Sequence, residues 1–424
     1  MIQMHQYILA PFRYADRQLD RLGMYRVVTL ALIFLVACSL VTSVFGLIPY
    51  SVLELCASLA VVVGVGMGAN ALFALAFRVY TNHESAFITS LIIFFLVLPA
   101  RWEELEYSFI IALVAVLAML SKYLLVWRKQ HVLNPVASGA VAAALMYAIY
   151  PLPPGYFETS WWIGQPFLFV PLLLAVAAVV QKVRKWTPVL AFLAVGFAFF
   201  LYEEWRFTGE PLAGWQRFWL SGPSLFLAGF MLTEPFTTPP TQRLRWGYGA
   251  VIGVLSQTTL FSGIVPMTPS IALLIGNAAF FPFSLRRKLF LTFREKREVA
   301  ADTWEFLFAK PAGVRFKPGQ YLEWMLPHSA DSRGERRYFT IASSPTEPHI
   351  RLALKVVAGG STYKAELMEL DAGETIICSQ LAGDFLLPED TTEKLGLIAG
   401  GIGVTPYRSF VQHMRLTDDV YDTV

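Results

Sequence analysis

Along the first two-thirds of the chain the apolar residues do not alternate with polar ones; they run. Stretches near 26–48, 52–76, 85–100, 105–126, 133–152, 164–181, 187–203, 218–233, 245–263 and 268–285 are almost free of charge. A helix needs about 20 such residues to cross hydrocarbon, so ten spans are predicted. The first is too long for a signal peptide, and nine more follow it. Two spans are irregular. The third, Ser85–Ala100, is short and closes on Leu98-Pro99. The eighth, Phe218–Thr233, is interrupted by Gly222-Pro223 and runs into Glu234-Pro235 and Pro239-Pro240. They hold matched places in two five-span halves, which suggests inverted repeats with a site at their interface; short helices with loop prolines would give the same pattern. From Phe290 the pattern changes to short alternating runs at 303–308, 320–325, 350–356 and 375–378, punctuated by Pro311, Pro318-Gly319 and Ala372-Gly373. That predicts an antiparallel β-barrel of about six strands. A buried parallel-type strand, Leu395–Ala399, then leads into glycines and a helix over 407–414.

Composition sharpens this division. The chain has 424 residues, 55% hydrophobic and 15% charged, with a mean hydropathy of +0.51, whereas a soluble domain carries roughly 25% charged residues. Residues 1–285 hold 28 of the charges and 286–424 hold 37, so a membrane part is fused to a soluble one near position 286. Lys/Arg bias gives the orientation. Arg13, Arg17, Arg21 and Arg26 precede the first span. Alternate loops carry Arg78, then Arg128 and Lys129, then Lys182, Arg184 and Lys185, then Arg243 and Arg245, then Arg286, Arg287 and Lys288. The opposite loops hold Arg101, Arg206 and Arg217 among Glu103, Glu104, Glu106, Glu203, Glu204 and Glu210. The alternation places the amino terminus and the soluble part in the cytoplasm, with the protein multi-pass in the inner (cell) membrane. A net charge of +3 gives no reason to expect a nucleic-acid partner. Cys38, Cys56 and Cys378 show no CxxC spacing, so no Fe–S cluster or structural metal is expected within this chain.

Three clusters in the soluble part carry chemistry. In a strand, Arg337, Phe339 and Ile341 fall on one face and Thr340 on the other. A guanidinium suits a diphosphate bidentately, an aromatic ring packs on a flat cofactor, and a hydroxyl can hydrogen-bond a reactive ring nitrogen. A barrel strand with an exposed Arg would read alike. The turn Gly359-Gly360-Ser361-Thr362, leading into a helix over 363–370, offers N–H groups and a positive dipole end to an anion. Gly400-Gly401-Ile-Gly403-Val-Thr405-Pro406, between a strand and a helix, lets the backbone approach a diphosphate, although it is not the GxGxxG fingerprint. In the membrane part, Glu234 is a functional candidate because an intramembrane carboxylate is costly; in a loop it would mean little.

Two families are recognisable. Lys122, His131-Val-Leu-Asn134-Pro135-Val-Ala-Ser-Gly139 resembles the K…H-x-F-N-P-A-A-x-G segment of the RnfD/NqrB membrane subunits. Met231-Leu-Thr233-Glu234-Pro235-Phe-Thr-Thr-Pro239 is similar to their M-A-T-D-P-V-[ST]-x-P, and Gly247–Gly253 falls where they have a Gly-rich span. The resemblance covers roughly 80–285 and points to Asn134, Thr233 and Glu234 as membrane-site candidates. Family members carry covalent FMN on the Thr of an S-G-A-T motif. Here Thr159-Ser160-Trp161-Trp162 runs almost directly into the next span, and Ser138-Gly139-Ala140 is followed by Val141, so no covalent FMN is expected. Bis-His haem would need histidines inside spans; only His83 and His131 lie near the helices, at cytoplasmic ends, so no haem is expected either.

The soluble part resembles the ferredoxin–NADP reductase superfamily. Its R-x-[YF]-[ST]-x-x-S corresponds to Arg337-Tyr338-Phe339-Thr340-Ile-Ala-Ser343, its G-x-x-[ST] to Gly359–Thr362, and its G-G-x-G-x-x-P to Gly400–Pro406. Pro318-Gly319-Gln320 and Gly383-Asp384-Phe385 match P-G-Q and G-x-F. The resemblance implies noncovalent FAD held by Arg337, Tyr338, Phe339, Thr340, Ser343, Gly359, Gly360, Ser361, Thr362, Gly383 and Phe385. It implies catalytic roles for Thr340 near N5 and Phe339 against the isoalloxazine, and NAD(P)H on Gly400, Gly401, Gly403, Thr405 and Pro406. A nucleotide domain of this type needs on the order of 100 residues after the barrel. So few remain after Glu393 that either the chain is a fragment, the favoured expectation, or the nicotinamide site is incomplete.

The expected organisation is a cytoplasmic tail over 1–25, an RnfD/NqrB-like polytopic α-helical membrane domain over 26–285, a FAD-binding β-barrel over 286–391, and the amino-terminal part of an NAD(P)-binding α/β domain over 392–424. The expected activity is electron transfer from NAD(P)H through FAD to a membrane acceptor, a quinone or a redox partner subunit, with or without ion movement. Two alternatives stay open: a membrane-tethered ferredoxin or flavodoxin–NAD(P) reductase, and a transporter with a flavin redox-sensor domain.

Overall fold

The structure is a computed structural model. It describes residues 19, 22–79, 82–99, 105–127, 130–149, 160–212, 214–257, 267–284, 289–328, 335–357, 359–388, 390–391 and 394–417. Arg13, Arg17 and Arg21 of the tail, Arg101, Glu103, Glu104, Arg128, Lys129 and Arg286–Lys288 of the loops, and Thr159 lie outside the described residues. The chain divides into two compact units, residues 1–284 and 285–424.

The first unit is helical: α1 (Met24–Val44), α2 (Val52–Phe77), α3 (His83–Leu96), α4 (Leu105–Leu124), α5 (Pro135–Ile149), α6 (Phe169–Val183), α7 (Trp186–Thr208), short α8 (Trp215–Trp219) and α9 (Ser224–Phe226), α10 (Gln242–Gln257) and α11 (Pro269–Phe280). A two-stranded ribbon, β1 (Val126–Trp127) with β2 (Gln130–His131), joins α4 to α5. Among the described residues four helices are long and apolar enough to cross a membrane: α1, α2, α6 with the turn Pro166–Leu168 before it, and α7. Shorter apolar helices fall at α3, α4, α5 and α11. Local signals set the ends. Ser51 and Glu54 form a reciprocal capping box at the start of α2, with Ser51 N–H donating to Glu54 Oε2 at 2.7 Å. Thr268 caps α11 by accepting from Ile271 N–H, with Pro269 in its first turn. The helix expected over 218–233 breaks at Ser221–Pro223 and resumes as α9, which continues into a π-helical segment, Leu227–Met231. Small residues let α7 and α10 approach closely: a Cβ on Gly253 would stand 2.9 Å from Phe192 O and 3.0 Å from Gly196 N.

The second unit is built on a six-stranded antiparallel sheet of order β6-β5-β8-β3-β4-β7, with β3 (Leu289–Ala300), β4 (Thr303–Ala309), β5 (Tyr321–Met325), β6 (Arg336–Thr340), β7 (His349–Lys355) and β8 (Thr375–Ala382). Beyond β6 the chain reaches the other outer strand, where Ala342 N–H donates to Arg351 O at 2.9 Å. Alternation decides what is inside. Ile350, Leu352 and Leu354 of β7 join Phe306, Phe308, Leu322 and Trp324 in the core, while Arg351 takes the other face. There Arg351 pairs with Glu305 (2.9 Å) and Glu347 (2.7 Å). The helices of this unit are α12 (Thr362–Glu369) and α13 (Thr405–Thr417). Arg408 of α13 closes the network, pairing with Glu347 at 2.9 Å and donating to Ala342 O at 2.7 Å. Ser409 Oγ donates to Ser343 O at 2.7 Å.

One expected strand is not formed. Leu395 makes an isolated bridge, the pairing does not continue from Gly396 through Ala399, and Ile398 is 88% exposed. A parallel strand buried on both faces takes its hydrogen bonds from neighbours on either side, and beyond that one bridge the described residues supply none here.

Candidate functional site

The sequence candidates of the second unit gather where β6 meets the start of α12. Burial of Ile341 in the core turns Arg337 and Phe339 toward α12. The Arg337 guanidinium lies 5.3 Å from the Tyr363 ring centroid, and the Phe339 ring lies 5.9 Å from it. Gly359 takes a left-handed backbone (φ +69°), which lets the chain turn into α12. Ser361 stands at the N-cap yet makes no capping hydrogen bond. Its Oγ and the Tyr363 hydroxyl are both buried and have no hydrogen-bond partner among the described residues. Burial holds the Tyr363 phenol well above its ordinary pKa, with Cys378 adding to the rise and Arg337 opposing it, so the group stays a donor. Burying a polar group unpaired costs about 1–3 kcal/mol. Arg337 and the amino terminus of α12, with Ser361 Oγ unpaired, offer donors to an oxyanion, while the Tyr363 ring, fully buried in the core, packs against the guanidinium. The chemistry of this donor set fits the diphosphate of FAD.

Other candidates fall elsewhere. Tyr338 is on the opposite face, where its hydroxyl donates to Glu323 Oε1 at 3.1 Å. Thr340 is half-buried and pairs with Tyr321 across the β5–β6 ladder. Ser343 is fully buried, and its Oγ accepts Arg351 N–H at 3.2 Å, so it braces β7 and α13. Thr362 Oγ1 lies 3.1 Å from His328 Nε2, and His328 Nδ1 lies 2.8 Å from Leu326 O. Sequence reasoning passes over His328, a single histidine at a strand end with no motif around it. Gly360 sits in the same turn; a Cβ there would stand 2.8 Å from Val357 O. Gly383 has φ +131° and packs near Gln320. Phe385 packs against Tyr407 and Phe410 at 5.7 and 5.5 Å between ring centroids. Gly400, Gly401 and Gly403 line an open turn, with nothing within 4 Å of a Cβ added at any of them, and Thr405 and Pro406 begin α13.

In the first unit, Asn134 and Glu234 meet. Asn134 Nδ2 donates to Glu234 Oε2 at 2.8 Å, and Asn134 N–H donates to Asn277 Oδ1 at 2.8 Å. Asn277 Nδ2 in turn donates to the Tyr248 hydroxyl at 2.7 Å. Asn134 also caps α5 by accepting from Ala137 N–H. Lys122, within electrostatic reach of Glu234, donates to Ser85 O at 2.9 Å. Thr233 is buried next to Glu234 in the chain but gives its hydroxyl to Gly229 O at 2.6 Å. Asn277 and Tyr248 carry no sequence signal; they lie more than 100 residues from Asn134.

Comparison with known proteins separates the same two units. In the carboxy-terminal region the chain is similar to the reductase component of propane 2-monooxygenase from Rhodococcus jostii, 32% identical over 26% of this chain and 28% of that protein. It is also similar to an NAD(P)H-flavin reductase of Aliivibrio fischeri, 31% identical over 27% of this chain and 49% of that protein. Among solved structures, a cytochrome P450 reductase of Amycolatopsis is 26% identical, covering 32% of this chain and 42% of that one with a TM-score of 0.29. The chain thus spans between about a quarter and a half of the length of these curated relatives. Residues 155–283, which include α6 to α11, match the profile of the NQR2, RnfD, RnfE family.

Proposed function

We propose that this chain is a membrane-bound flavoprotein oxidoreductase that passes electrons from NAD(P)H through noncovalent FAD to a membrane acceptor, a quinone or a redox partner. The observation that carries the reading is the Ser361 Oγ, unpaired among the described residues, at the start of α12, where the Arg337 guanidinium packs on the Tyr363 ring. The similarity to an NAD(P)H-flavin reductase supports the donor and the flavin. Arg337 and the first turn of α12 hold the diphosphate, with Gly359, Gly360 and Thr362 shaping that turn. Phe339 packs against the ring system, and Thr340 presents its hydroxyl toward the reactive edge. Gly400–Pro406 receives the nicotinamide nucleotide at the start of α13. A flavin bound there supplies the conversion of a two-electron donor into one-electron delivery. With a quinone as acceptor the balance is NAD(P)H + H⁺ + quinone → NAD(P)⁺ + quinol.

In this reading the sheet closes as a barrel, the helical unit crosses the inner membrane ten times, and the amino terminus and flavin unit face the cytoplasm, as the Lys/Arg alternation supports. The test is the absorption spectrum of the purified full chain under anaerobic conditions. Flavin released by acid and bleached by NADH or NADPH is expected; a colourless preparation, or flavin that neither nucleotide reduces, overturns the reading. Activity of the soluble part unchanged by membrane reconstitution would favour a tethered ferredoxin or flavodoxin reductase instead.

A further inference from the structure

The helix that follows the glycine turn 400–403 is pinned to the sheet by two consecutive side chains. Arg408 and Ser409 lie in the first turns of α13, shortly after Thr405 and Pro406. Arg408 Nη1 donates to Ala342 O at 2.7 Å and to Glu347 Oε1 at 2.9 Å, and Arg408 Nη2 donates to Glu347 Oε2 at 3.4 Å. Arg408 Nε adds a longer ion pair, 3.8 Å, to Glu305 Oε1. Ser409 Oγ donates to Ser343 O at 2.7 Å. Apart from Glu305, these acceptors all lie in the stretch 342–347, which begins just beyond the end of β6 at Thr340. The next residue adds an apolar contact. Phe410 is buried, its ring lies 5.5 Å from that of Phe385, and a Cβ on Gly319 would stand 2.6 Å from Phe410 Cε1.

The polar contacts do something that the apolar one does not. Packing of Phe410 alone would hold α13 on the sheet yet leave it free to slide or roll, because dispersion has no preferred direction. A guanidinium forked between a carboxylate and a carbonyl fixes direction as well as distance. Apolar side chains of similar volume hold a buried contact about as well as charges do, so stability alone does not call for Arg408. Nor would its loss strand a carboxylate, since Glu347 keeps Arg351 at 2.7 Å. What Arg408 adds is a fixed register between the start of α13 and the end of β6.

Resting on the reading above that Thr340 meets the flavin and Gly400–Pro406 the nicotinamide nucleotide, we propose that Arg408, assisted by Ser409, is a positioning residue for hydride transfer. It holds the nucleotide turn at a set distance from the flavin strand. The step served is NAD(P)H + H⁺ + FAD → NAD(P)⁺ + FADH2, in which an electron pair moves with the hydride between atoms about 3–3.5 Å apart. Misplacement by about 1 Å costs on the order of a hundredfold in such a step.

The test uses the full chain in detergent and has two arms. In the first, amide hydrogen exchange is measured without nucleotide. Arg408→Leu is expected to raise exchange about fivefold across 342–347 and 400–407 while the β3–β4 and β4–β7 ladders keep their protection. In the second, flavin reduction by NADH or NADPH is followed anaerobically. Arg408→Leu is expected to lower the limiting rate about tenfold or more, with flavin content and the half-saturating nucleotide concentration unchanged. Arg408→Lys, which reaches one acceptor but not both, restores part of that rate. Ser409→Ala shifts both readouts the same way by less, and it decides if Arg408→Leu does not fold. Wild-type exchange at 400–407, a rise spread evenly over the whole sheet, or an unchanged limiting rate overturns the proposal. If neither nucleotide reduces the wild-type flavin, the reading above falls, and the exchange arm still decides whether Arg408 fixes the turn.

Discussion

Two inner carboxylate sites, one in each unit, are held by different means. In the sheet unit, Glu305 and Glu347 are held by Arg351 and Arg408 in a network of full charges at 2.7 to 2.9 Å. In the helical unit, the half-buried Glu234 is met by the carboxamide of Asn134, with Asn277 and Tyr248 extending the hydrogen-bonded chain and Lys122 within electrostatic reach. A guanidinium brings several donors but must itself be desolvated. A carboxamide brings fewer and costs less to bury. Arg408 keeps part of its side chain in water, whereas Asn134, Asn277 and Tyr248 are buried among apolar helices.

That contrast can be broken from either side. The largest effect is expected for Glu347→Ala, which removes one of the two carboxylates shared by Arg351 and Arg408 and leaves only Glu305. A loss of about 3 kcal/mol in the stability of the sheet unit is expected, read by thermal or denaturant unfolding. The same residue sets a pH signature. Burial alone would raise the Glu347 pKa, but hydrogen bonds from Arg408, Ser344 N–H and Arg351 outweigh it and hold the carboxyl below its usual value. Its contribution is therefore complete above the unfolded carboxylate pKa of about 4.3 and is lost as pH falls through the lower folded value. Glu347→Gln should flatten this acid limb.

A smaller loss, about 2 kcal/mol, is expected for Gly253→Ala, since the added methyl meets Phe192 O and Gly196 N at the α7–α10 crossing. Thermal stability in detergent reports it, and an unchanged melting point would mean that the two helices can part at no cost. The smallest change, about 1.5 kcal/mol, is expected for Asn134→Ala in the same assay, because it removes one carboxamide hydrogen bond to the Glu234 carboxylate together with a helix cap.

Much of this architecture is legible in the sequence because it rests on local signals. The break at Gly222-Pro223, the capping residues and the alternation of β4 and β7 are all written within a few neighbouring positions. The start of α12 is legible through Gly359–Thr362, a turn with its own composition. Pairings between distant segments are not: Asn277, Tyr248 and His328 are ordinary residues until the fold sets them beside Asn134 and Thr362. Leu395–Ala399 misleads for the opposite reason, since its apolar run describes a strand whose further pairing partners are not among the described residues.

The π-helical turn Leu227–Met231 sets the angular phase of everything after it. Each residue of a helix advances the chain by about 100°, and a π turn absorbs one residue more than an α turn. Glu234 follows shortly after, so a one-residue deletion within 227–231 closes the π turn to an α turn and keeps its carboxylate facing Asn134, whereas a one-residue insertion swings it by about 100°. Insertions are thereby excluded from this short stretch, and identity is held as well, since Leu227–Met231 are all buried and a Cβ on Gly229 would meet the Val176 side chain.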